Sequence, residues 1–112
     1  ARAVEEVRAK HVEGVVLRAR LERVRDGWSV LADRLRGQVV TPAVMVDMLH
    51  RAGAPAEAAE IGVGRDYLRR TTLNARFLRS RYTVLDLLDE CGMLEAAVGA
   101  SLPAPLRKEG RG

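Results

Sequence analysis

The chain has 112 residues, which limits it to one small domain and leaves no room for a nucleotide-binding domain and a substrate domain together. Its composition, 47% hydrophobic and 30% charged, is that of a folded chain and excludes a disordered polyelectrolyte. Apolar runs such as Val15-Val16-Leu17 fall far short of the roughly 20 residues that span a bilayer, and a net charge of +4 is too small to mark a nucleic-acid binder by itself.

In chain order, Ala1-Arg2-Ala3-Val4-Glu5-Glu6-Val7 already reads as helix interior. It has no capping residue, initiator Met or signal-peptide pattern, so a truncated N-terminus is expected. The clearest helix is expected over residues 14–37, where Leu17, Leu21, Val24, Trp28, Leu31 and Leu35 follow in steps of four and three. That spacing puts six apolar side chains on one stripe, expected to be the main packing seam. The intervening Arg18, Arg20, Glu22, Arg23, Arg25, Asp26, Asp33 and Arg34 form a solvated face, and Gly27 marks a weak point where a bend can form.

Thr41-Pro42 is a helix start, with Thr as N-cap and Pro in the first turn, and Gly53 with Pro55 ends the helix. Ile61-Gly62-Val63-Gly64 has the composition of a turn. A further helix is expected over 65–79, with Tyr67, Leu68, Thr71, Ala75 and Leu78 on its apolar side. Thr83-Val84-Leu85-Asp86 approximates a capping box opening a short helix that Gly92 can close. Leu94, Ala97, Val98 and Leu102 predict a last amphipathic turn or two. Together these elements predict an all-α antiparallel bundle of about five helices over residues 1–102, followed by a Pro-, Gly- and charge-rich disordered tail over 103–112.

A single cysteine rules out an intrachain disulfide and a thiolate metal cage, in keeping with a cytoplasmic protein. Cys91 falls in the apolar pattern Val84, Leu87, Leu88, Cys91, where a small buried thiol is expected. His11 and His50 stand alone, outside any ligand spacing. Gly62 and Gly64 follow no predicted strand, and no Ser/His/Asp or Cys/His arrangement is present. No catalytic, cofactor-binding or metal-ligating residue is therefore assigned.

The strongest electrostatic feature is the stretch 65–81, with six arginines against Asp66 alone. On one continuous helix Arg65, Arg69, Arg76 and Arg79 would fall within about 80° of arc. These four are the candidate contacts for a phosphate or an acidic partner, set against the plainer reading of a solvated face. The run Ala58 to Leu68 has the outline of a helix-turn-helix, whose recognition helix would enter the major groove. Its first helix would be squeezed between Pro55 and Ile61, which argues against nucleic acid.

Several segments in order resemble the C-terminal region of the sn-glycerol-1-phosphate dehydrogenases, relatives of the iron-containing alcohol dehydrogenases and dehydroquinate synthases. They are Arg20-Leu21-Glu22-Arg23 with Trp28, Met48-Leu49-His50-Arg51-Ala52-Gly53-Ala54-Pro55, Glu60-Ile61-Gly62-Val63, and Arg81-Tyr82-Thr83-Val84-Leu85-Asp86-Leu87. The resemblance implies the C-terminal helical domain of a two-domain dehydrogenase that interconverts dihydroxyacetone phosphate and glycerol-1-phosphate by hydride transfer. It implies NAD(P) and a divalent metal, usually zinc, in the cleft toward a missing N-terminal nucleotide-binding domain. It also implies that this chain is not catalytic alone. The family's metal is held by an Asp and two His; His11 is followed by Val12 where a Gly is expected, so no ligand is carried over. Homo-oligomerisation stays open. The alternative is a small helix-turn-helix-like DNA-binding or helical protein-interaction module.

Overall fold

A computed structural model describes residues 2–104, and the expected tail from residue 105 onward lies outside the described residues. The described residues hold six α-helices and two 3-10 turns joined by short loops, with no strand among them. The all-helical expectation therefore holds. Helix α1 spans Arg2–Lys10, α2 Gly14–Gln38, α3 Pro42–Arg51, α4 Arg65–Asn74, α5 Val84–Glu90 and α6 Leu94–Ser101, with 3-10 turns at Ala58–Ile61 and Ala75–Phe77.

The local signals act as their chemistry dictates. At the start of α3 the Val44 N–H donates to the Thr41 hydroxyl at 3.3 Å, while Pro42 sits where a helix N–H has no partner. The Glu60 carboxylate accepts from the backbone N–H groups of Ala56 at 2.7 Å and Glu57 at 2.6 Å, holding the first 3-10 turn. Those two bonds, Glu57 first, keep its carboxyl below the usual range. Gly62 closes this turn at φ 74°, a left-handed conformation that a Cβ would strain. Thr83 and Asp86 form the capping box of α5.

Two expectations are corrected. The helix expected over 65–79 stops at Asn74 and tightens into a 3-10 turn. On α4 Leu68, Thr72 and Leu73 are half-buried while Tyr67 is exposed, and beyond it the tighter turn leaves Phe77 half-buried and Leu78 exposed at 78%. Cys91, expected to be buried, is exposed, because the helix ends at Glu90 and Cys91 is its C-cap.

The hydrophobic centre is small: Leu94, Val98 and Leu102 on and just after α6 are its buried apolar residues, with α4 and α5 packed on either side. Their spacing of four places all three on one helix face. The stripe on α2 is a third correction. Leu17, Leu21 and Val24 are half-buried, but Trp28, Leu31 and Leu35 are 51%, 39% and 42% exposed, so only the first half of the seam packs. Helix α2 runs unbroken across Gly27 and carries its second half, with α3, away from the α4–α6 centre. The radius of gyration is 17.6 Å, against about 13 Å for a compact domain of this length. The helices thus form an elongated array.

Candidate functional site

The polar centre of the molecule is Asp86, on the first turn of α5 and only 4% exposed. Its carboxylate accepts from the Thr83 backbone N–H at 2.8 Å and the Thr83 hydroxyl at 3.0 Å. The Lys10 ammonium lies 2.9 Å from both carboxylate oxygens. Lys10 also donates to the Arg76 carbonyl and, at 3.5 Å, to the Arg81 carbonyl. An ammonium has three donors, so Lys10 is fully engaged, tying α1 to the second 3-10 turn, the following loop and α5. Burial pushes the Asp86 carboxyl up, but the bonds from Lys10 and Thr83 outweigh it and hold the group below its usual range.

A second knot adjoins the first. Arg20 of α2 donates to Glu90 Oε1 at 2.6 Å, while the Tyr82 hydroxyl donates to Glu90 Oε2 at 2.7 Å. The Arg20 guanidinium also lies over the Tyr82 ring at 5.0 Å. Burial and the bonded Glu90 carboxylate push the Tyr82 hydroxyl up to about 12, against a smaller opposing effect of Arg20. Arg76 donates to Asp89 at 2.8 Å, lies 4.0 Å from Asp86 and rests on the Phe77 ring at 4.4 Å.

The structure does not bring Arg65, Arg69, Arg76 and Arg79 onto one helical stripe, because α4 ends before Arg76. Arg65 donates to the Pro103 carbonyl at 2.8 Å, Arg69 pairs with Glu95 of α6, and Arg76 joins the Asp86 cluster. Arg79 instead lines a polar cleft with Arg2, Glu6, Ser80 and Arg81. Sequence reasoning found the Thr83–Asp86 cap but missed Lys10, Arg20 and Glu90. Lys10 meets Asp86 across 76 residues, and no local spacing signals such a pair.

Chemically most of the cluster is self-satisfied. A cavity of about 190 Å³ lies among Val7, Lys10, Leu17, Arg76, Phe77 and Asp86; Lys10 and Asp86 on its wall are paired and Arg76 Nη1 is bonded to Asp89, while the buried Arg76 Nε has no hydrogen-bond partner among the described residues. The metal and dinucleotide implied by the family resemblance do not fit these residues. Among the described residues no three His, Cys, Asp or Glu side chains converge, and Gly62 and Gly64 follow a 3-10 turn where a phosphate cradle needs a strand. The first helix of a helix-turn-helix is likewise reduced to the 3-10 turn at Ala58–Ile61. Among the described residues no helix is long and apolar enough to cross a membrane. No family model, curated protein or solved structure matches the chain.

Proposed function

We propose that the chain is the C-terminal helical part of a metal-dependent NAD(P) dehydrogenase similar to the sn-glycerol-1-phosphate dehydrogenases, and that its role is supporting: it braces the wall of a cleft whose cofactor and metal groups lie elsewhere in the parent. The single observation that carries this reading is where the resembling segments sit. Arg20, from one of them, stacks on Tyr82, from another, and both bond to Glu90, while Thr83 and Asp86 of the second segment anchor Lys10. Segments about 60 residues apart in the sequence thus share one internal brace.

The half-exposed seam Trp28, Leu31 and Leu35 supports the same reading, since apolar side chains in register along a helix favour burial against another element. The test is the coding sequence preceding these codons. The proposal expects an in-frame Gly-rich strand-turn-helix for the dinucleotide, followed by an Asp and two His able to hold a metal. A preceding frame that encodes an unrelated domain would overturn it.

A further inference from the structure

The loop between the second 3-10 turn and α5 is held at both ends by one ammonium. Lys10 donates to the Arg76 carbonyl before it and, at 3.5 Å, to the Arg81 carbonyl at its far side. Just beyond, the Thr83 N–H is fixed on Asp86 at 2.8 Å. Those bonds set the backbone of Leu78, Arg79, Ser80 and Arg81 beside α1, where the four residues line an open cleft of about 420 Å³ with Arg2 and Glu6.

Three guanidiniums line this cleft against one carboxylate, and that carboxylate, Glu6, lies 3.9 Å from Arg2. Among the described residues neither Arg79 nor Arg81 has a carboxylate within ion-pair distance, whereas Arg20, Arg69 and Arg76 are each paired with one. Two unpaired guanidiniums with a serine hydroxyl between them in the sequence are forked donors suited to a tetrahedral oxyanion. Their two positive charges balance a dianion, and a carboxylate or a phosphodiester would leave one of them over. The volume suits a small molecule, and Leu78, 78% exposed, adds an apolar wall.

We propose that this cleft binds the phosphomonoester group of a small molecule. Arg79 and Arg81 hold the dianion, the Ser80 hydroxyl is a third donor, and the apolar part of the ligand rests against Leu78. The site is built from this chain alone and does not rest on the dehydrogenase reading. Its failure would leave that reading standing, and it would survive the failure of that reading.

Above its second pKa of about 6, phenyl phosphate is a dianion, whereas methyl phenyl phosphate and benzoate carry a single charge on the same ring. Each is titrated at mildly alkaline pH into the full 112-residue chain, with the backbone N–H signals of residues 77–82 followed by NMR. Phenyl phosphate should bind saturably, with a dissociation constant of about 1 mM or below and about ten-fold or more tightly than either monoanion. Binding should weaken with salt. The Arg79→Gln/Arg81→Gln variant should lose about ten-fold or more in affinity while its urea melt stays unchanged, since both side chains are exposed. Glu6→Gln should tighten binding because it removes the one opposing charge, a gain that misfolding could not produce. Equal affinity for the three anions, no saturable shift with any of them, or binding that survives Arg79→Gln/Arg81→Gln would overturn the proposal, as would a Glu6→Gln chain that binds no more tightly.

Discussion

At the scale of residues, Asp86 and its partners hold the polar centre together. Removing one member of a buried ion pair leaves the other uncompensated, so Asp86→Ala should cost about 3 to 5 kcal/mol in a urea melt. The Lys10→Met/Asp86→Asn double variant should lose less than the two single changes summed. Because the folded-state carboxyl is held below its unfolded value, the stabilisation is present above the unfolded value and is lost as pH falls through the folded one. Acid destabilisation below about pH 4 should therefore be shallower in Asp86→Asn than in the unaltered chain. Tyr82 behaves oppositely: its folded value is raised, so its contribution is complete below about 10 and is lost as pH climbs toward about 12. A spectrophotometric phenolate titration should show one tyrosine ionising near 12, moving down in Glu90→Gln.

At the scale of elements, what was legible in the sequence was whatever depended on near neighbours. Thr41-Pro42, Gly53, Gly62, the Thr83–Asp86 box and the Leu94, Val98, Leu102 face all lie where their local chemistry puts them. Periodicity failed where a decision lay outside the helix. The pattern over 65–79 was compatible with a continuous helix, yet Phe77 turns inward through a 3-10 turn beside Lys10 and Arg76. The stripe on α2 likewise specified which face is apolar without specifying what covers it. A seam read from spacing implies a loss of about 3 to 5 kcal/mol for Trp28→Ala. With half of Trp28 exposed, the structure sets the expected loss at about 1 kcal/mol or less. Leu94→Ala, at a site 7% exposed, should cost about 2 to 4 kcal/mol in the same denaturant series. A larger loss at Trp28 than at Leu94 would show that the centre of the fold lies on α2.

At the scale of the whole molecule, an elongated array with a small buried centre and a long half-covered helix leaves more apolar surface in contact with water than a compact domain of this length would. Among the arginines of 65–81, Arg69 and Arg76 are paired with the chain's own carboxylates. Direct duplex binding by the chain should therefore be weak and indifferent to sequence, which a salt titration of a labelled duplex checks. The central claim is that these residues support a dehydrogenase cleft completed by other parts of the parent. The measurement that addresses it most directly is NAD(P)H oxidation driven by dihydroxyacetone phosphate, run side by side on the 112-residue chain and on the polypeptide encoded by the complete reading frame. The complete polypeptide should turn over, with chelator abolishing and divalent metal restoring the rate, and the chain alone should show none. Turnover by the chain alone, or a metal-loaded complete polypeptide that binds neither cofactor nor substrate, would contradict that claim.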